Sequence, residues 1–248
     1  MSKLVVHKSM TKGGIYYTNN KPEENIFKAG QKQLEKCQEI WDFPIYSISQ
    51  KPIDFGINTV MELESSLLSM YKQIYEGLMQ CQTDIIFLLE HDLLYHPSHF
   101  DTSMIDYRSD HFYYNRNQWH VHSETGKTVT YLHNDTSMLS ALREPLVKHI
   151  KRAVEVNMEH FHSRWGISPP RGIPPEEQKG KHYAVYMSKV PVVDIRHPNT
   201  LTRVRMTKDQ FRSPNSMRGW TESDSIPGWP GKTEGRFNEW LKEVVPYV

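Results

Sequence analysis

A fully apolar run, Ile85-Ile86-Phe87-Leu88-Leu89, gives way abruptly to Glu90-His91-Asp92. Two carboxylates one residue apart on a strand point to the same face. Burying such a pair is costly unless a cation compensates it, because like charges at close range raise each other's pKa. Oxygen ligands suit a hard divalent ion such as manganese or magnesium, and an ion of that kind also bridges a diphosphate. A strand that merely ends in a polar loop shows the same pattern, so these residues alone leave both readings open. Alternation points His91 away from the two acids. A second stretch with chemical potential runs from Arg196 to Trp220. It holds Arg196, Arg203, Arg205, Lys208, Arg212 and Arg218 against a single acid, Asp209, with Phe211 and Trp220 adding aromatic surface. Cations at that density meet either the phosphates of a small ligand or those of a nucleic acid, or they simply solvate the surface.

The elements that must position these residues alternate in type. Gly14-Ile15-Tyr16-Tyr17-Thr18 is β-prone, and a helical spacing of Ile26, Ala29, Leu34 and Cys37 spans 23–40. Pro44 to Ser49 reads as a second strand, followed by a polar loop over 50–58. Ser65 to Gln80 places Leu67, Leu68, Tyr71, Ile74, Tyr75 and Leu78 on one side of a helix. The run 85–89 is then a buried parallel strand. Strand, helix, strand, helix, strand begins a doubly wound α/β layer, where ligands gather at the carboxyl ends of strands. Thr18-Asn19, Gln50 to Asn58 and Glu90 to Asp92 occupy those ends. Further on, Phe112 to Tyr114 and Thr128 to Leu132 read as strands of a hairpin around Glu124-Thr125-Gly126-Lys127. Residues 142–157 are helical and 168–181 form a Pro- and Gly-rich loop. Residues 190–195 make a last strand, and the tail is irregular until a short helix over 236–244.

With 38% apolar and 24% charged residues, 248 residues should bury a core as one large domain rather than remain disordered. The opening residues MSKLVVHKSM carry too short an apolar run for a signal peptide, and no stretch is long enough for a membrane helix. Cys37 and Cys81 lack metal-ligand spacing, and a reduced cytoplasmic setting is expected. The net charge is +1, yet residues 1–140 carry 12 Lys+Arg against 17 Asp+Glu, whereas residues 141–248 carry 18 against 12. That asymmetry is compatible with a surface that meets a phosphate-bearing ligand or polyanion, and equally with scattered solvated charge.

Glu90-His91-Asp92 resembles the Asp-x-Asp motif of GT-A glycosyltransferases, placed after the third or fourth strand as in that fold. A wider string is similar to short, family-2-like glycosyltransferases common in phages and prokaryotes. It comprises Tyr16 to Asn20, Ser47 to Asn58, Ser69 to Ile74, Glu90 to Tyr95, Arg196-His197, Asn199-Leu201-Thr202 and Gly219-Trp220-Thr221. The resemblance covers most of the chain, 160–185 being least distinctive. It departs at the first acid, where Glu90 replaces Asp and leaves the metal mainly to Asp92. The resemblance implies an α/β fold of the GT-A (nucleotide-diphospho-sugar transferase) type, with a mostly parallel central sheet flanked by helices. Residues 1–248 would form one domain, about 1–95 binding a nucleotide sugar and about 96–248 serving the acceptor through a basic C-terminal segment.

By position, the resemblance assigns Thr18, Asn19, Lys51, Asp54, Gly56, Asn58, Gln73 and Glu90 to the nucleotide-sugar donor. It assigns Glu90, Asp92 and His197 to a manganese or magnesium ion. Inverting members carry a carboxylate base at a helix start after the central strands, which points to Glu144, with Asp135 and Asp194 as alternatives. An acidic residue in a first helical turn also simply complements the helix dipole.

The implied reaction moves a sugar, from a UDP-sugar by preference, to a hydroxyl. Phage relatives suggest a hydroxymethylated pyrimidine in DNA as acceptor, with Arg203, Arg205, Lys208, Arg212 and Arg218 on its phosphates. Tyr113, Tyr114 or Trp119 would stack on a flipped base. A glycan or small-molecule acceptor and an inactive nucleotide- or nucleic-acid-binding module are the alternatives. A nucleotidylyltransferase fits less well, because Gly13-Gly14 after Lys12 poorly imitates its Gly-rich loop.

Overall fold

The computed structural model describes residues 10–160, 168–200 and 202–245, so Leu201 and the opening residues 1–9 lie outside the described residues. The chain runs β1 (Lys12–Thr18), α1 (Glu24–Trp41), β2 (Ile45–Ser49), β3 (Ile57–Val60), α2 (Leu67–Gln80), β4 (Ile85–Glu90) and β5 (Leu93–Leu94). It continues with β6 (His111–Asn115), β7 (Gln118–His122), β8 (Thr128–Thr130), β9 (Leu139–Leu142), α3 (Arg143–His160), β10 (His182–Tyr186), β11 (Val192–Arg196), β12 (Thr221–Ser223) and α4 (Phe237–Val244).

Seven strands form the main sheet in the order β10-β6-β9-β4-β1-β2-β3. Every pairing is parallel except the two made by β9, which runs antiparallel to both β4 and β6. The expected α/β class, with a mostly parallel central sheet flanked by helices, is what the chain adopts. Strand β4 shows why it is apolar throughout. Ile86 and Leu88 pack with Ile74 and Leu78 of α2 and Leu146 and Ile150 of α3. Ile85, Phe87 and Leu89 pack on the other face with Leu34 and Cys37 of α1. A strand covered on both faces has no polar face to alternate with. Each such fully buried aliphatic or aromatic side chain contributes about 1.5–3 kcal/mol.

A second, five-stranded sheet has the order β12-β8-β7-β11-β5. One of its faces packs Trp119, Val121, Val193 and Ile195 on Phe237, Trp240 and Leu241 of α4. The opposite face carries Gln118, His120, Asp194 and Arg196 toward the end of the main sheet. Stretches 1–95 and 96–248 therefore interdigitate: β6, β9 and β10 complete the first sheet, and β5 completes the second.

The structure revises several local expectations. The hairpin around residues 124–127 is made by β7 and β8, whereas Phe112 to Tyr114 belong to β6 in the main sheet. A Trp-His-Val-His run with buried residues on both faces obscured β7. Residues 57–60 form the edge strand β3 rather than loop. The tail 196–236 is irregular as expected, except for β12 and two short 3-10 turns.

Candidate functional site

Strand order reverses beside β1. The chain steps outward through β2 and β3, and then α2 carries it back to place β4 on the other flank of β1. Connections leave the carboxyl ends of β1 and β4 in opposite directions, and a crevice opens between them. The crevice holds a cleft. Tyr17, Thr18 and Asn19 from the end of β1 line it, with Gln50, Ser65, Ser66, Leu67, Met70 and Gln73 beside them. Glu90, His91 and Asp92 form its floor, and Asp135, Asp194, Arg196, Thr200 and Thr202 its far wall.

Strand β4 ends at Glu90, and His91 and Asp92 sit in the turn that follows. Alternation stops there, so His91 is not turned away from Asp92. Ligand-capable atoms of His91, Asp92 and His197 all lie within 4.8 Å of one another, and all three residues are buried. His197 Nε2 stands 3.4 Å from Asp92 Oδ2, and the Asn199 N–H approaches its Nδ1 at 3.2 Å. Ile195 N–H donates to the Asp92 carbonyl, which ties the two sheets together at this point. Helix α1 abuts the same turn so closely that a Cβ on Gly30 would meet the carbonyls of His91 and Leu93 at 3.2 Å.

Three buried atoms here lack a hydrogen-bond partner: His91 Nδ1, Asp92 Oδ1 and His197 Nε2. Orphaned polar atoms in a dry site are costly, and a divalent cation would satisfy all three. Two imidazoles with one carboxylate suit a first-row transition ion better than magnesium, which prefers an all-oxygen shell. Glu90, expected among the ligands, lines the cleft but stands outside this trio.

The carboxyls of the floor are pushed in opposite directions. Burial, reinforced by Asp92, Asp194 and Asp135, pushes the Glu90 carboxyl well above the usual range. Burial pushes Asp92 up too, but His91 and His197 outweigh it and hold the group below the ordinary value. Burial lowers His91, partly offset by Asp92.

On the far wall Arg196 stands 2.5 Å from Asp194 and 3.8 Å from Asp135. Burial raises Asp194 to about 7 although Arg196 opposes it. Asp135 is held far below the usual carboxylate range: burial alone would raise it, but His133 and Arg196 prevail.

The remaining donor-side residues divide. Thr18, Asn19 and Gln73 are brought to the cleft, but the side-chain amide of Gln73 donates to the carbonyls of Thr18 and Ile48, at 2.8 and 3.0 Å. Its work is to staple β1 to β2, leaving Oε1 for a ligand. Lys51, Asp54, Gly56 and Asn58 do not line the cleft. After β2 the chain doubles back, and Ile57 pairs with Tyr46 in mid-strand, so 54–58 lie beside the flank of β2 rather than its carboxyl end. Asn58 donates to the Ser47 carbonyl and Ser49 Oγ, which closes that loop. Gly56 takes φ 60 against the Ile45 carbonyl, a turn requirement and not an approach to a ligand.

Glu144 is corrected as well. Its side chain is 80% exposed and pairs with Lys148 at 2.7 Å. Leu142 pairs with Ile85 at the start of β4, so Glu144 lies beyond the end of the sheet opposite Glu90, about 17 Å away along the strand. The antiparallel direction of β9, which short Leu-Ser-Ala-Leu did not announce, explains the displacement. Asp135 is the carboxylate of that stretch that reaches the cleft. Tyr113, Tyr114 and Trp119 are core residues and cannot stack on a flipped base. Arg203, Arg205, Lys208, Arg212 and Arg218 are all exposed, and Arg205 lies over the ring of the half-buried Phe211 at 5.6 Å. No helix among the described residues is long and apolar enough to cross a membrane.

No protein-family description and no curated protein matches this sequence. Among solved structures the chain is similar to a glycosyltransferase involved in glycosylation of the major capsid of PBCV-1. The TM-score is 0.45 at 14% identity, covering 74% of this chain and 92% of that one. It is also similar to the glycosyltransferase GlyE of Streptococcus pneumoniae TIGR4. Its apo form gives a TM-score of 0.42 at 12% identity over 69% of this chain, and a second structure gives 0.43 at 9% over 71%. The match spans 42% and 45% of those two GlyE chains, less than half their length.

Proposed function

We propose that the chain is a metal-dependent glycosyltransferase of the GT-A kind, moving a sugar from a nucleotide diphosphate sugar, UDP-linked by preference, to a hydroxyl. The observation that carries this reading is the trio of buried, unpartnered ligand atoms on His91, Asp92 and His197 at the floor of a switch-point cleft. A divalent ion held there would supply positive charge for a leaving diphosphate. Thr18, Asn19 and Gln50 form the donor-side wall, with Gln73 bracing it, and Arg196 adds a fixed cation opposite. Asp135 replaces Glu144 as the base. Its side chain is 30% exposed on the cleft wall, and among the described residues no hydrogen bond reaches Oδ1. In the proposed single displacement the acceptor oxygen bonds to the anomeric carbon while its proton passes to Asp135. The bond to the diphosphate breaks, and the diphosphate leaves with the electron pair.

Melting curves with UDP, GDP and their glucose conjugates, each with and without manganese, test the donor reading. A ligand at 100 times its Kd contributes about 2.7 kcal/mol to stability. A manganese-dependent shift with one nucleotide is expected, and the reading fails if none of these ligands moves the curve. Release of nucleoside diphosphate then separates a transferase from an inactive binding module.

One observation favours DNA as the acceptor over a glycan. The exposed cations Arg203, Arg205, Lys208, Arg212 and Arg218 lie on the segment that holds the half-buried Phe211 and Trp220 and also sends Thr202 into the cleft. A hydroxymethylated pyrimidine in duplex DNA is the corresponding test substrate, against unmodified DNA.

A further inference from the structure

We propose that His133 is a positioning residue for Asp135, holding one carboxylate oxygen so that the other faces the acceptor. The inference rests on Asp135 being the base. The loop between β8 and β9 folds two side chains into a pair, with His133 Nε2 2.8 Å from Asp135 Oδ2. His133 Nδ1 lies 3.0 Å from the Tyr131 carbonyl oxygen. A carbonyl and an ionised carboxylate only accept hydrogen bonds, so both ring nitrogens donate and the ring is an imidazolium.

The ring is also held in place. It packs on Tyr131 with centroids 4.5 Å apart and planes 26° apart, and on His120 at 5.0 Å. Tyr131 stacks in turn on Trp220 at 5.8 Å and 14°. Gln118 Nε2 donates to the same Asp135 Oδ2 at 3.2 Å, so that oxygen is fully occupied. Oδ1 remains for the substrate. Fixing a reacting group by interactions on its far side is a recurring source of catalytic orientation.

The charged and titratable groups facing the pair are Gln118's neighbour His120 on β7, Asp194 and Arg196 on β11, and Glu90 at the end of β4. Burial would lower the imidazole's pKa, but Asp135 outweighs both burial and Arg196 and holds it above the ordinary value. His133 keeps both protons while Asp135 takes one from the acceptor. As pH rises through the raised value the Nδ1 proton, which faces only a neutral carbonyl, leaves first, while Nε2–H goes on donating to Oδ2. The carboxylate stays held, so turnover should show no alkaline fall that traces to His133.

Histidine-selective 15N NMR of the full chain and turnover of UDP-glucose with manganese, followed as UDP release, test this together. His133 is expected to titrate above the ordinary imidazole value in the wild type and to lose that elevation in D135N. H133Q, which keeps a donor, should retain kcat within about tenfold; H133F should lower kcat about 100-fold with KM for the donor unchanged. An imidazole that titrates at or below its ordinary value in the wild type overturns the proposal, as does H133F with a wild-type kcat. D135N with wild-type turnover removes the base reading and this proposal with it. An inactive D135N beside an unaltered H133F removes only the role of His133. Should H133F fail to fold, H133Q and the wild-type NMR titration decide.

Discussion

At the floor of the cleft Glu90 and Asp92 are pushed in opposite directions, and only Asp92 stands in the group of three ligand-capable side chains. Asp92, held below the ordinary value by His91 and His197, offers a carboxylate to a cation, whereas burial and the carboxyls of Asp92, Asp194 and Asp135 raise Glu90. D92N should therefore abolish any manganese-dependent rise in melting temperature, while E90Q should keep it; calorimetric titration of manganese into both variants checks this, and equal losses would return Glu90 to the ligand set. Away from the cleft, burial pushes His149 down to about 4. The unfolded chain binds that proton near pH 6.5 and the folded chain does not, so stability is lost as pH falls from about 6.5 to about 4, by roughly 1.4 kcal/mol per pH unit. H149F should flatten that slope by one proton in urea unfolding measured across the range, whatever its cost at pH 7. Glu90 and Asp92 stand out in the sequence because they follow an apolar strand, and His197 enters through the resemblance alone. His91 was not legible, since alternation was extended one residue past the strand, and Asp135 in Asn134-Asp135-Thr136 has no spacing that singles it out.

Elements bring these groups together through a few specific contacts. The Gln73 amide satisfies the carbonyls of Thr18 and Ile48 where β1 and β2 end, both buried. Q73L would leave those acceptors unpaired at a cost of about 1–3 kcal/mol each way of counting such groups, and would loosen the donor wall. Chemical denaturation should record the loss, and nucleotide binding should weaken beyond it; normal stability in Q73L would mean that water replaces the amide. In the packed strand β4, L88A should cost about 2–5 kcal/mol, since Leu88 is fully buried between α2 and β1. Helices α1 and α2 and strands β1, β2 and β4 could be read directly, because 3.6-residue periodicity or a continuous apolar run marks each. Strands β5, β9 and β10 could not. They have two, four and five residues, and what fixes them is pairing with β11, β4 and β6, partners distant in the chain.

Across the whole molecule the basic excess of residues 141–248 resolves into an exposed set on the segment 203–218, next to the cleft mouth at Thr200 and Thr202. If that surface carries a polyanionic acceptor, replacing Arg203, Arg205 and Arg212 by glutamine should reduce the slope of log affinity against log salt for DNA by about 0.9 per lost phosphate contact. Nucleotide binding and melting temperature should stay as in the wild type. Fluorescence anisotropy over a sodium chloride series reads this out, and an unchanged slope would move the acceptor elsewhere.

The strand order has a consequence for how the chain is made. Strand β6 emerges from the ribosome before β9, yet β9 is what joins it to β4, and β7 finds β11 only some 70 residues later. Until β9 emerges the apolar edge of β4 waits uncovered, and closing such distant pairings is slow. Nascent chains halted before residue 192 would hold most of the main sheet but lack the tie from Ile195 to Asp92, and these are the species that a chaperone would engage and that would aggregate at high expression.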